Sequence, residues 1–229
     1  MRRAAVLSLL SLLAACSAPP RRPAPAPPPV VAPPAAQPAP PPPIVQFGNV
    51  WTRDAGVQLR TDAGGVTLPY VFMRLEVLRA DTADLRVRCV HCPGAPEGWI
   101  AREGVVHAPR HPEAAARLDL AEFVLAVREA AAQRDVEALR SVMARDFVHT
   151  LGPIDMGLLE TFAAWEREQY RTLDRMPFVL DRGVATVVGT PVWAGPPDYA
   201  ADSRYAGLRA GFRRGPDGWE WIFLVRGGS

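Results

Sequence analysis

Prolines are concentrated in one short stretch of this 229-residue sequence, and that stretch limits what the chain can fold into. Fourteen of the 25 prolines lie in the 27 residues 17–43, where proline alternates mainly with alanine. Such a segment cannot pack a hydrophobic core and favours the extended polyproline II conformation, at about 3.1 Å per residue. We therefore predict a semi-rigid linker with a reach of up to roughly 80 Å. A ligand for a proline-recognition module is the alternative interpretation.

The segment before this linker has the features of an export signal. Arg2 and Arg3 are followed by an apolar run of ten residues, 4–13. Ten residues are too few to cross a bilayer, which needs about 20. A positive start, a short apolar stretch and small residues before a break are typical of a secretory signal peptide. We predict that residues 1–15 form one.

The break itself, Leu-Ala-Ala-Cys at residues 13–16, resembles the lipobox of bacterial lipoproteins. In that family the cysteine sulfur carries a diacylglycerol thioether, and the acylated cysteine becomes the mature N-terminus. The resemblance implies a lipidated (palmitate-bearing) Cys16, followed by the linker over residues 16–44, and a location at the cell envelope. Ser17 resembles the residue of lipoproteins that are sorted to the outer membrane of two-membrane bacteria. An ordinary signal peptide with a chance cysteine is the alternative.

The charge of the remaining chain argues against a nucleic-acid partner. All 26 basic residues are arginine, and four of them lie upstream of residue 44, which leaves 22 against all 24 acidic residues. A nucleic-acid-binding domain is expected to carry a clear positive excess on one face. The near-neutral balance therefore predicts partners other than nucleic acid.

Residues 45–110 contain several short runs that are typical of β-strands. The predicted strands are 57–60, 75–78, 85–89 and 98–102, with a turn or loop at 61–65. Several short strands at close spacing indicate a small all-β barrel or sandwich.

The order of these runs resembles the bacterial SH3-like (SH3b) domain. Its "LNVRSGPS" stretch corresponds to GVQLRTDA at 56–63, its "VEVL" strand to LEVL at 75–78, its third strand to LRV at 85–87, and its closing "GWV" strand to GWI at 98–100. The sequence departs from the family at Asp84, where a tryptophan is usual, and at 73–74, where a glycine is usual. The resemblance implies a barrel that binds cell-wall material or peptides and has no catalytic residues. A purely structural spacer is the alternative.

Two cysteines, Cys89 and Cys92, lie in this region and are followed directly by Pro93. A redox Cys-x-x-Cys motif lies at the start of a helix, which the following prolines oppose, and covalent haem would need histidine in place of Pro93. A zinc site would need further ligands, for which the available histidines are His91, His107 and His111. We predict a local disulfide, which an exported compartment permits, with the redox and metal sites as alternatives.

Residues 111–229 begin with helical patterns and end with strand-like runs. Asp119 precedes an apolar stripe at Leu120, Val124, Val127 and Ala131, and Asp135 is placed to cap a second helix that carries Val136, Leu139, Met143 and Phe147. A third helix is predicted over 156–173, and strands over 147–150, 184–188, 205–213 and 219–226 with a turn at 215–218. These patterns predict an α+β domain of three helices and an antiparallel sheet.

The opening helices, FVLAVREAAAQRDVEALRSVMARDFVHT at 123–150, are similar to the start of nuclear-transport-factor-2-like (ketosteroid-isomerase-like) cone folds, and the closing DGWEWIFLV at 217–225 suits them. Enzymes and non-catalytic modules share that fold. A general base in such a cone is Asp, Glu or His beside a Tyr or Trp donor, which points to Asp146, His149, Glu166 and Tyr170. Simpler roles are a helix end for Asp146, a solvent-facing His149, a surface position for Glu166 and a core position for Tyr170.

The sequence thus predicts a multi-domain chain: signal peptide, linker, SH3-like barrel and α+β domain. It contains no nucleophile elbow, phosphate loop or metal-ligand cluster in its second half, and we predict no catalytic residue, cofactor or metal. We favour a lipid-anchored envelope protein that binds or scaffolds, with peptidoglycan or an envelope protein as its partner. An enzyme with an acid–base site in the cone cavity is the alternative.

Overall fold

Twelve β-strands, connected by hydrogen bonds into one sheet, dominate the part of the chain that the structure describes. The structure is a computed structural model that describes residues 48–108, 117–149, 157–202 and 204–227. Within these residues five α-helices accompany the strands, so the fold is broadly α+β. The predicted signal peptide, Cys16, the linker and His111 lie outside the described residues.

Seven strands and a short 3-10 helix make up the first part. They are β1 (Asn49–Thr52), β2 (Val57–Thr61), β3 (Gly64–Leu68), β4 (Val71–Ala80), β5 (Asp84–Cys89), β6 (Glu97–Ala101), the 3-10 helix Arg102–Gly104 and β7 (Val105–Val106). The four predicted strands are confirmed as β2, β4, β5 and β6. The predicted turn or loop at 61–65 is confirmed as a turn at Asp62 and Ala63, but it is shorter than predicted, because Thr61 pairs with Gly64 and β3 begins there. The SH3-like barrel stays a prediction.

Strand β4 belongs to two regions of the sheet. Its later residues pair with β1 and β5, whereas Val71 and Met73 pair with Val184 and Arg182 of the later chain. Between them, Phe72 is fully buried with φ +63°, so the simple alternation of faces along a strand is interrupted here. As a result Val71 and Phe72 pack in one hydrophobic core, and Met73 and Leu75 in a second.

The second part consists of five helices and five strands. They are α1 (Leu120–Gln133), α2 (Val136–Val142), β8 (Met143–Val148), α3 (Leu158–Arg167), α4 (Arg171–Leu180), β9 (Arg182–Thr186), β10 (Trp193–Gly195), α5 (Pro197–Ala201), β11 (Leu208–Gly215) and β12 (Gly218–Arg226). The strand order runs β4-β9-β10-β11-β12-β8, so the sheet continues across the predicted domain boundary at residue 110.

The predicted helix cap at Asp135 is confirmed, and Asp119, which precedes the predicted stripe of α1, caps a helix as well. The Asp119 carboxylate accepts a hydrogen bond from the Glu122 backbone N–H, and the Glu122 side chain accepts one from the Asp119 N–H, which is a complete capping box. Asp135 accepts a hydrogen bond from the Ala138 N–H at the start of α2. The predicted stripe of α1 is buried throughout.

Three predictions for this part are wrong. Helix α2 ends at Val142, so Met143 and Phe147 lie in β8, and β8 pairs parallel to β12 rather than antiparallel. The third helix does not run through 156–173, because Gln169 and Tyr170 adopt left-handed φ values of 56° and 63°. The Tyr170 N–H bonds to the Trp165 carbonyl, a geometry that ends a helix, and the chain restarts as α4.

Candidate functional site

A groove of about 480 Å³ lies where the first and second parts of the fold meet. This volume falls within the range of small-ligand sites. From the first part it is lined by Val66, Thr67, Pro69, Tyr70, Met73, His91, Cys92, Pro93 and Pro96. From the second part it is lined by Arg182, Pro197 and Asp198.

Gly183 allows the two sides of this groove to approach each other. Its φ is +104°, and a Cβ atom there would lie 3.0 Å from the Tyr70 Cβ and 3.1 Å from the Met73 Cγ. Any other residue would clash at this point and strain the backbone. The glycine therefore brings Arg182 of β9 against the turn between β3 and β4, where Tyr70 is 36% exposed.

The polar groups of the groove are an ion pair and a histidine. The Arg182 guanidinium pairs with the Asp198 carboxylate of α5, and both side chains are about half exposed. Burial, with a further effect from the positive charge of Arg74, lowers the pKa of His91. His91 is thus neutral at pH 7 and offers a donor and an acceptor, whereas the ion pair offers one group of each charge.

Four prolines and Cys92 form much of the groove wall. Proline rings fix φ, so Pro69, Pro93, Pro96 and Pro197 hold the wall in shape before any ligand arrives. The Cα atoms of Cys89 and Cys92 lie 5.4 Å apart, within the range that a disulfide spans. The predicted disulfide fits this placement and stays a prediction until the thiols are titrated.

A buried carboxylate next to the groove ties the two parts of the fold together. Asp181 is 1% exposed and directly precedes Arg182. Its carboxylate accepts hydrogen bonds from Trp51 Nε1 at 2.9 Å, from Arg128 Nε at 2.7 Å and from Arg74 Nη1 at 3.3 Å. Burial alone would lower the pKa of Arg128, but the contacts with Asp181 raise it above its ordinary value. The carboxylate thus joins β1 and β4 to α1 directly before Arg182, a residue of the groove lining.

Two of the four sequence-predicted pocket residues lie on the surface. Asp146 is exposed on β8, where both of its oxygens accept hydrogen bonds of 2.8 Å from Arg213. These hydrogen bonds lower the pKa of Asp146. Glu166 is exposed on α3, as expected for a surface position.

The other two lie at or near the core. His149 is fully buried, which contradicts the expected solvent-facing position, and its Nδ1 is 2.8 Å from the Leu224 carbonyl oxygen. Tyr170 is half-buried against the core at the end of α3, with Arg134 over its ring. Among the described residues no hydrogen bond or ion pair joins any two of these four candidates.

Comparison with known proteins gave no match: no protein-family model fits the chain, and no curated protein or solved structure matches it significantly. Within the described ranges, the His, Cys, Asp and Glu side chains form no group of three that would hold a metal ion. None of the helices in the described part of the chain has the length and apolarity needed to cross a bilayer.

Sequence reasoning missed most of the groove. Tyr70, Arg182 and Asp198 lie far apart in the chain and on different elements, so no local spacing links them. The local signals were the prolines next to Tyr70 and Asp198, which break regular structure, and Gly183 directly before the predicted strand at 184–188.

Proposed function

We propose that this protein is a lipid-anchored lipoprotein of the cell envelope that acts as a non-catalytic binding or scaffold module. The groove around Tyr70 and Arg182 is its contact surface for cell-wall material or an envelope protein. The observation that carries the proposal is the composition of this groove: rigid proline walls, an exposed tyrosine and paired polar groups, supplied jointly by the SH3-like region and the α+β region.

The N-terminal sequence supports this proposal. A lipidated Cys16 holds the chain on the membrane, and the proline-rich linker spaces the folded part away from it by up to roughly 80 Å. A spacer of this kind is useful to a protein that must reach a fixed target such as the wall. An enzyme that acts on small diffusing molecules gains less from it.

The groove suits an extended, uncharged or zwitterionic ligand. An exposed tyrosine ring and proline rings offer apolar contact to sugar rings or peptide side chains. The Arg182–Asp198 pair presents a donor and an acceptor side by side, which matches the carbonyl and N–H groups of peptides or the hydroxyl groups of glycans. The sequence has no lysine, so a side-chain amine cannot form a covalent amide link to the wall. The contact we propose is therefore non-covalent.

The test is retention of the full-length chain on purified sacculi and, in a second arm, on solubilised envelope proteins. We compare the wild type with Tyr70→Ala and Asp198→Ala in the groove. The matched control is Asp146→Ala, which removes a similar surface ion pair on β8. Each variant is first checked for folding by circular dichroism.

We expect the two groove variants to lose retention at least about tenfold, a change of roughly 1.4 kcal/mol, while the control binds as the wild type does. Retention on sacculi identifies cell-wall material as the ligand, and retention only in the second arm identifies a protein. Retention in neither arm contradicts the proposal. Equal retention by all variants contradicts the groove as the contact surface.

The enzymatic alternative has less support. Its four candidate residues are divided between the surface and the core, and Asp146 is held in an ion pair with Arg213.

A further inference from the structure

Strand β3 lies at one end of the sheet, and its outer edge is free in the part of the chain that the structure describes. Its five residues, Gly64–Leu68, pair with β2 on one side only. A free edge presents main-chain N–H and C=O groups that are ready to pair with another strand. Val66 and Thr67 also line the groove, so this strand and the groove belong to one surface.

The register of β2 and β3 shows which main-chain groups of β3 point outward. The Leu68 carbonyl accepts a hydrogen bond of 2.8 Å from the Gly56 N–H, so Leu68 faces the β2 side. Main-chain groups along an antiparallel strand point alternately toward one neighbour and away from it. Gly65 and Thr67 therefore direct their N–H and C=O groups away from β2. These two residues offer two donors and two acceptors to an added strand.

Side chains leave this edge open. Gly65 and Thr67 are both exposed, and Gly65 has no side chain that would cover its main-chain groups. The φ of Gly65 lies outside the positive range that favours glycine, and a Cβ there would meet only the flexible Gln58 side chain, at 3.4 Å. The fold therefore does not require glycine at this position. A glycine inside a strand often marks a place where a second backbone approaches closely.

The two ends of the strand order differ in charge. Strand β8 ends the order on the other side, and it carries the exposed charged residues Arg145 and Asp146. Charged side chains on an edge strand oppose the addition of a further strand. Strand β3, with the sequence Gly-Gly-Val-Thr-Leu, contains no charged residue and no proline. This difference singles out β3 as the edge to which a partner strand can add.

The main-chain groups at this edge select a peptide over a glycan. A peptide strand repeats N–H and C=O groups at the spacing of β3, about 3.4 Å per residue, whereas the hydroxyl groups of a glycan have no such repeat. The proline-rich linker of this chain is a poor occupant, because 14 of the 27 residues 17–43 are prolines, which lack an N–H. The occupant that fits best is therefore a segment of another protein.

We propose that the protein binds an extended peptide segment of an envelope protein, which adds as a strand to the outer edge of β3. The proposal rests on the function proposed above and specifies its partner. Main-chain hydrogen bonds with Gly65 and Thr67 supply affinity, and the adjoining groove selects a side chain of the peptide. The Tyr70 ring and the proline rings of the groove suit an apolar side chain.

The probe is a library of synthetic, proline-free peptides of about eight residues on beads, offered to the detergent-solubilised full-length chain. Peptides that bind are sequenced and remade with a methyl group on one main-chain nitrogen at a time. N-methylation removes a hydrogen-bond donor and leaves the side chains unchanged. In an added strand only every second N–H faces β3. We therefore expect affinity losses of at least about tenfold at alternate residues and little loss at the residues between them.

The matched variants are Thr67→Pro and Thr67→Ala. Both remove the side-chain hydrogen bonds with Gln58, but only proline also removes the outward N–H. We expect Thr67→Pro to lose peptide binding at least about tenfold, and Thr67→Ala to bind as the wild type does. Circular dichroism checks that both variants fold, and the methylation pattern on the wild type does not depend on them.

A library from which no peptide is selected, methylation losses without alternation, or equal peptide binding by two folded variants would overturn the proposal. Self-association of the chain that Thr67→Pro abolishes would also overturn it, because a second copy would then occupy the edge. Any of these results, together with a loss of retention on sacculi in Tyr70→Ala, would leave the groove as a contact for cell-wall material and remove only the peptide partner.

Discussion

Trp51 of β1 donates its indole N–H to the buried carboxylate of Asp181, 130 residues later in the chain and 2.9 Å away. The same indole ring lies under the Arg128 guanidinium at 4.9 Å, and Arg128 also binds Asp181. One carboxylate thus organises a tryptophan and two arginines between the first and second parts of the fold. Since Asp181 directly precedes Arg182, it also positions the groove.

Removal of the Asp181 carboxylate should therefore destabilise the whole protein. Asp181→Ala leaves Arg128 and Arg74 without their shared buried partner, a change that typically costs about 3–5 kcal/mol. We expect a loss of this size in the free energy of unfolding, measured by urea denaturation. The control Asp146→Ala breaks an exposed ion pair and should cost less than about 1 kcal/mol. Equal effects of both substitutions would contradict the role assigned to Asp181.

The capping box at the start of α1 gives a second prediction. Asp119→Ala removes the acceptor for the Glu122 N–H and the contact with Arg53, and should cost about 1 kcal/mol of stability. Asp119→Asn keeps the cap and removes only the charge, so it should retain most of the stability. Thermal unfolding of both variants checks this, and an equal loss in both would assign the effect to the Arg53 contact instead.

Stability should depend on pH through His149. Burial lowers the pKa of His149, so below about pH 6.5 the unfolded chain binds a proton that the folded chain does not. The contribution of this group is constant above that pH, and stability falls as the pH drops below it, by at most about 1.4 kcal/mol per pH unit.

Denaturation series from pH 7.5 to 4.5 on the wild type and on His149→Phe would measure this contribution. His91 and His107 also have pKa values lowered by burial. The free energy of unfolding of His149→Phe should therefore still fall with decreasing pH, but less steeply than that of the wild type. The difference between the pH dependences of the two proteins gives the contribution of His149 to the free energy of unfolding. Parallel curves would show that His149 does not titrate between the folded and unfolded states in this range.

The pairing of Cys89 with Cys92 can be tested by thiol alkylation and mass spectrometry. In protein purified from the envelope without reductant, we expect neither cysteine to be alkylated, and both to be alkylated after reduction. Cys92 is half-buried while Cys89 is fully buried, so the reduction is done on unfolded protein. Two free thiols at the outset would refute the disulfide, and bound zinc in equal amount would favour the metal alternative.

Lipidation of Cys16 is the remaining prediction. A radiolabelled fatty acid supplied to cells should label the wild type and not Cys16→Ala. Because the sequence has no lysine, an amine-reactive reagent reports only the N-terminal amino group. A protein acylated on both the sulfur and the amine should not react at all. Label that survives in Cys16→Ala, or a wild type without label, would exclude the lipoprotein assignment.

Local chemistry accounts for the parts of the fold that were predicted correctly. Asp135 caps α2 because its exposed carboxylate lies beside backbone N–H groups that have no partner within the helix. The Gly215–Gly218 pair closes the last hairpin because proline and glycine set the turn between them. The predicted second helix is too long at its C-terminal end. Met143 and Phe147 continue the apolar spacing of α2, but they lie in strand β8, which pairs with β12.

The sequence by itself determined the helix cap at Asp135, the four predicted strands of the first part and the final hairpin, since each depends on residues that are close in the chain. The tertiary structure decided the rest. Trp51 bonds to Asp181, Tyr70 and Arg182 line one groove, and His149 lies in the core, only because distant strands pair and bury them together. Burial and the choice of partner depend on packing, and no local pattern of residues encodes them.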